Sequence, residues 1–306
     1  EVPMTNSFQA RLACGCLVGD GGMGTLLQSA GLPVGVCGEL WNVEQAEKVV
    51  ALQRQYVDAG SDLLLTNTFG ANPHKLNSYG LADRTEELNA AGARVARRAT
   101  EGTQTLVLGD IGPSGAILEP FGDMEFNVLK EQFARQVKGL LDGGVDAFII
   151  ETMMDFGEVR CAFEAICSLS DLPVIVSMFF DTDKQNPGQF RTMYGDTPAA
   201  ICEKAESLGA DVVGSNCGLA IDAYVDLATR FKEATSKPII LQPNAGLGRP
   251  AENGTVIYDD PPERMATRVE DLFNNGATIV GGCCGTGPEY IHRVRRIADR
   301  RLGRKN

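Results

Sequence analysis

Two hydrophobic patterns alternate along this chain. Short, nearly unbroken apolar runs bounded by Gly, Asp or Pro recur as CLVGD (16–20), DLLLTNTF (62–69), TLVLGDIG (105–112), AFIIET (147–152), PVIVSMFF (173–180), DVVGSNC (211–217), PIILQPN (238–244) and TIVGGCC (278–284). Runs of this kind suit strands buried on both faces, as in a parallel sheet. Between most of them the apolar residues are spaced for one helical face, as with Leu129, Phe133, Val137, Leu140 and Leu141, or Ile201, Ala205 and Leu208. The entries DAGSDLLLT, DGGVDAFII, SLGADVVGS and NNGATIVGG form a weak repeat in which a Gly and a polar residue separate helix from strand. A Gly there is the expected left-handed helix stop. Strands recur at roughly 35–40 residues, the length of one β-loop-α unit, and eight such units make a (β/α)8 TIM-type barrel. The predicted class is therefore α/β, with residues 1–306 forming one barrel domain, since no linker or low-complexity stretch divides them.

The polar residues fall where a barrel would use them. Asp20, Asn67, Asp110, Glu151, Asn216 with Cys217, Asn244, and Cys283 with Cys284 all close their strands. In a barrel those ends and the loops after them carry the active site.

Composition narrows the chemistry. Lys plus Arg is 28 against 40 Asp plus Glu, a net charge of −12 that argues against nucleic acid or an anionic membrane as the main partner. No run approaches 18 apolar residues, and no basic-then-apolar leader opens the chain, so neither a membrane span nor secretion is expected. Nine cysteines without such a leader point to a reducing compartment, hence the cytoplasm. Only His74 and His292 are present, which disfavours His-rich zinc hydrolases and histidine-based triads. The chemistry must rest on cysteine and carboxylate.

GDGGMG (19–24) formally matches a dinucleotide fingerprint. Three features oppose that reading: the next strand comes too late for a compact βαβ unit, Asp20 would face a pyrophosphate, and the sheet continues past two mononucleotide halves. The glycines are expected instead to let the backbone approach a ligand. GGCCG (281–285) is the strongest local signal. Adjacent strand residues point to opposite faces, so its glycines are needed to turn both sulfurs to one point. Cys217 ends another strand, and in a closed barrel all three thiols face one cavity. Three protein ligands with an open fourth position is the pattern of a catalytic zinc site, and soft thiolates favour zinc over magnesium or calcium. Two small buried residues in a Gly-rich strand is the bland alternative for the pair. Cys161, Cys167 and Cys202 lie in helical stretches and read as core thiols. Glu151 follows four apolar residues and needs a cation, either a nearby Arg or a substrate amino group shared with Asp20. The basic stretch HRVRRIADRRLGRKN (292–306) reads as a solvated last helix.

DGGMGT, TNTFGAN, IIET, SNCG, QPNAGL and GGCCGTGPEYI occur in an order that resembles the homocysteine S-methyltransferase family, especially the homocysteine-binding module of cobalamin-dependent methionine synthases. The resemblance runs from about Gly19 to Ile291. It implies a (β/α)8 barrel with one Zn2+ on Cys217, Cys283 and Cys284, and Asn244 as fourth ligand before substrate arrives. It also implies that Asp20 and Glu151 hold the substrate ammonium group, with Gly21 and Asn67 beside them as candidate substrate-binding residues. The implied reaction moves a methyl group to the homocysteine thiolate, giving methionine. The donor would be a methyl-corrinoid protein, so that methylcobalamin enters only through a partner, or S-methylmethionine. Another small thiol acceptor, or a thiol-binding component of a multi-subunit corrinoid system, stays open.

Overall fold

The computed structural model describes residues 8–251 and 256–304. Every predicted run becomes a strand: β1 Leu17–Val18, β2 Leu63–Leu65, β3 Leu106–Ile111, β4 Ala147–Met153, β5 Val174–Met178, β6 Val212–Ala220, β7 Ile239–Asn244 and β8 Ile279–Val280. They form one parallel sheet in the order β1-β8-β7-β6-β5-β4-β3-β2. A long helix follows each strand on the outside: α1 Ala46–Asp58, α2 Thr85–Ala99, α3 Phe126–Gly143, α4 Phe156–Leu169, α5 Pro198–Leu208, α6 Ile221–Ala234, α7 Pro262–Asn274 and α8 Pro288–Arg301. The result is the (β/α)8 barrel the spacing predicted.

Closure between β1 and β2 comes from two aspartates. The Asp62 amide donates to Val18 O (2.7 Å). The Asp62 carboxylate accepts from the Val18 amide at 2.9 Å and pairs with Arg295 of α8 at 2.8 Å. Asp20 reaches across the same seam, its Oδ2 accepting from the Leu65 amide at 2.8 Å.

Alternate residues on each strand point to opposite faces, which splits the core in two. Val18, Leu64, Val107, Phe148, Ile150, Val176, Val213, Leu241 and Val280 belong to the layer packed against the helices. Leu17, Leu63, Leu65, Leu106, Leu108, Ala147, Ile149, Ile175, Val212, Ile240 and Ile279 fill the barrel, with Phe8 and Leu12 of the N-terminal helix Phe8–Ala13 joining them. Following the inward positions two residues at a time, five of the strands turn from apolar to polar. Leu65 gives way to Asn67, Leu108 to Asp110, Ile149 to Glu151, Ile175 to Ser177, and Ile240 to Gln242 and Asn244. The barrel is thus oily below and polar at its mouth.

Some expectations needed correction. As regular strands β1 and β8 are only two residues long, and the tails beyond them stay tied to their neighbours by backbone bonds such as Gly19 N to Val280 O (3.0 Å) and Gly282 N to Asp20 O (2.8 Å). Two small hairpins, Asp181–Thr182 with Phe190–Arg191 and Arg249–Pro250 with Val256–Ile257, were invisible because most of their residues are exposed and carry no apolar alternation. Cys161 and Cys202 are fully buried, but Cys167 is exposed on the outer face of α4. The basic C-terminal stretch packs through Ile291, Val294, Ile297 and Ala298, and Arg295 is drawn into the seam.

Candidate active site

Cys217, Cys283 and Cys284 converge at the mouth. The Cys217 and Cys284 sulfurs are 3.8 Å apart and those of Cys283 and Cys284 are 4.0 Å apart, with all three within 4.8 Å of one another. Bringing Cys217 into line requires a break in β6. Register with β7 shifts between Asn216 and Ala220, and Cys217 and Gly218 adopt φ values of 65° and 72°. A left-handed non-Gly residue costs free energy of order 1–3 kcal/mol, and it persists where surrounding bonds over-determine it. Here the buried Tyr224 hydroxyl donates to Cys217 O at 2.8 Å. Asn216 locks the neighbouring strand: its Oδ1 accepts from the Thr152 amide and the Ser177 hydroxyl, both at 2.8 Å, and its Nδ2 donates to Thr152 Oγ1 at 2.6 Å.

The second pair is positioned by a loop held from both sides. Cys283 N donates to Pro243 O at 2.9 Å, and Cys284 N donates to Asn244 Oδ1 at 3.1 Å. The Thr286 hydroxyl donates to Cys283 O at 2.7 Å. The glycine motif serves this loop. A Cβ on Gly22 would lie 2.6 Å from Cys283 O, and one on Gly21 would lie 2.9 Å from both Thr286 Oγ1 and a Tyr56 ring carbon. These glycines permit close approach within the scaffold, Gly22 to the Cys283 backbone and Gly21 to the Thr286 and Tyr56 side chains.

The three sulfurs act on one another. Hydrogen bonds with Cys217, Cys283 and the Tyr258 hydroxyl hold Cys284 far below the ordinary thiol range, while hydrogen bonds with Cys217 and Cys284, and burial, push Cys283 up. Tyr258 carries no sequence signal, standing alone in a polar loop after β7, and Tyr224 lies unmarked in a helix; Thr152 and Thr286 fall within IIET and GGCCGTGPEYI, but their supporting bonds depend on contacts between segments distant in the chain.

Carboxylates from neighbouring strands occupy the same mouth. Asp20, Asp110 and Glu151 are 3%, 5% and 8% exposed, and among the described residues none forms a salt bridge. The Arg partner considered for Glu151 is not found among the described residues. Burial, reinforced by mutual repulsion, raises Glu151 to about 8 and Asp110 well above the carboxylate range, and burial raises Asp20 to about 7. Asn67 is buried at the same level, but its amide group donates to Gly38 O (3.0 Å) and Asn42 Oδ1 (2.9 Å), tying β2 to the loop after β1. His74 and His292 are exposed on helices and take no part.

The barrel and this mouth define an enzyme scaffold that can hold a soft atom beside a cationic group. Residues 17–298 match the family model for homocysteine S-methyltransferase, and the chain belongs to that family. It is 31% identical over 295 residues to a methionine synthase of Mycobacterium leprae (strain TN), covering 92% of this chain. It is 30% identical over 293 residues to one of Mycobacterium tuberculosis (strain ATCC 25618 / H37Rv), covering 91%. The chain spans only 24% of the length of each of these relatives. In fold it is similar to the metallated form of the homocysteine methyltransferase MmuM from Escherichia coli, with a TM-score of 0.74 at 22% identity over 92% of this chain and 96% of that one.

Proposed function

We propose that this chain is a zinc-dependent homocysteine S-methyltransferase that forms methionine. The observation that carries the reading is the meeting, in one barrel mouth, of three thiols within 4.8 Å and buried carboxylates that form no salt bridge among the described residues. Three sulfur donors fit a soft divalent ion and leave a coordination position for substrate. Cys217, Cys283 and Cys284 would hold the zinc, with Asn244, whose Oδ1 has a second lone pair, completing the site before substrate binds. Zinc so bound supplies the acidity that turns a thiol into a thiolate at neutral pH.

The remaining work falls to the chain. Asp20 and Glu151 bind the substrate ammonium, which relieves their burial cost. Gly21 and Asn67 shape the wall beside them. Tyr224 and Asn216 hold the strained Cys217 turn, and Asn244 holds the Cys284 amide. Fixing thiol and amino group together presents the sulfur in one orientation to the donor, where positioning is the main catalytic gain. No histidine base is needed. The donor proposed is a methyl-corrinoid protein, so methylcobalamin is reached only through a partner. Exposed Phe121, Met193 and Leu247 lie on loops that follow strands, the side from which a protein-sized donor would approach. S-methylmethionine is the small-molecule alternative. All nine cysteines are free, which supports a cytoplasmic setting, and a single domain over residues 1–306 is the organisation proposed. Among the described residues no helix is long and apolar enough to cross a membrane.

The test is metal content and homocysteine binding of the purified chain, with Cys217→Ser and Cys284→Ser beside it, followed by turnover with methylcobalamin or S-methylmethionine. About one zinc per chain, lost on either substitution and required for binding, is expected from the three-ligand site. A reduced protein that cannot take up zinc overturns the reading.

A further inference from the structure

Asp110 stands apart from the residues considered so far. It occupies the inward position of β3, two residues beyond Leu108 on the barrel-filling side. Its side chain is 5% exposed, its Oδ1 is wholly buried, and that oxygen has no hydrogen-bond partner. Its backbone is satisfied by Thr66 and Thr68, so the orphan is the carboxyl group alone. An unpartnered buried carboxyl costs stability, and nothing in the fold uses it. The strand order shows where it lies. Asp20 on β1 reaches the Leu65 amide of β2, Asp110 stands on β3, and Glu151 on β4. The three carboxyls form an arc across four adjacent strands, and the charges acting most on Asp110 are those of Glu151 and Asp20.

An ammonium group has three N–H donors and no acceptor. One Asp20 oxygen is already committed to the Leu65 amide, which leaves Asp20 one unshared oxygen toward the pocket. Glu151 supplies a second acceptor, and the third donor needs one more. We propose that Asp110 is that third acceptor, a specificity-determining residue that binds the substrate ammonium together with Asp20 and Glu151. The inference rests on the proposed homocysteine reading. It goes further in making the pocket selective for a primary ammonium with all three N–H bonds engaged.

The test compares the zinc-loaded wild-type chain with Asp110→Asn by calorimetric titration of L-homocysteine and of 4-sulfanylbutanoate, which keeps the thiol and carboxylate but lacks the amine. Thermal unfolding without ligand is measured in parallel. Asp110→Asn keeps an acceptor oxygen but cannot take the negative charge that a bound ammonium would stabilise, so we expect homocysteine affinity to fall roughly ten- to hundredfold, with 4-sulfanylbutanoate affinity changed less than about twofold. The unliganded variant should melt no lower than wild type, because the replaced oxygen had no partner to lose. A merely structural residue would lower the melting temperature and weaken both ligands together. Asp110→Ser, which removes the carboxyl and leaves space, serves as the second variant if the asparagine chain does not fold. Equal effects on the two ligands, or none on either, overturn the proposal. Failure of the wild-type chain itself to bind homocysteine overturns the functional reading, and this inference with it.

Discussion

Asp20→Asn should make the substrate-free protein more stable at neutral pH while disabling it. Burial raises the Asp20 carboxyl from 3.8 to about 7, a shift of roughly three units. At 1.36 kcal/mol per unit, this corresponds to a penalty on the order of 4 kcal/mol once the group is ionised. The folded chain keeps the Asp20 proton over a window in which the unfolded chain has released it. Stability is therefore full below about pH 4 and falls as pH rises toward about 7, beyond which it levels off. Asparagine removes that titration and can still accept the Leu65 amide through its own Oδ1. Urea unfolding of metal-free wild type and Asp20→Asn, followed from about pH 4 to about pH 8, should show near-equal stability at the acid end. The variant should lead by ~3–4 kcal/mol at the alkaline end. Glu151 and Asp110, both raised in part by repulsion from Asp20, ionise more readily in the variant, which adds to its lead at the alkaline end. The zinc-loaded variant should lose most of its homocysteine affinity. Parallel profiles across the whole range would refute the account of Asp20 as a buried carboxyl with no salt-bridge partner among the described residues.

Other substitutions probe the scaffold around the sulfurs. Gly22→Ala places a methyl group 2.6 Å from Cys283 O, so it should displace the cysteine loop, cost about 1–3 kcal/mol of stability and weaken zinc uptake, as read by a competing chelator. Asn216→Ala strips the Thr152 amide and two hydroxyls of their partner. It should cost about 2–4 kcal/mol in urea unfolding, and a loss below about 0.5 kcal/mol would show that the locking role is wrong. Asp62→Ala opens the β1–β2 seam and leaves Arg295 without that carboxylate; about 3–5 kcal/mol should be lost, with amide exchange accelerated in β1 and β2.

Much of the molecule was legible in the order of its residues. The eight apolar runs marked the strands because parallel strands covered on both faces need continuous apolar sequence, a local and one-dimensional requirement. Polar residues at run ends marked the mouth for the same reason: a barrel buries its lower layers and uses its upper rim. The likeness of DGGMGT, IIET, SNCG and GGCCG to known motifs singled out Asp20, Glu151, Cys217, Cys283 and Cys284. Other features depended on distance in space. Whether Cys217 and Cys284 meet, 67 residues apart, depends on a left-handed turn held by Tyr224 and a register shift in β6, neither of which leaves a periodic signal. The tertiary structure likewise showed that, among the described residues, no Arg pairs with Glu151 and nothing bonds Asp110 Oδ1, and that Asn67 spends its amide protons on Gly38 and Asn42. The pattern of side chains reports what each segment must bury, whereas hydrogen-bond partners and unpaired charges depend on which segments the closed barrel brings together.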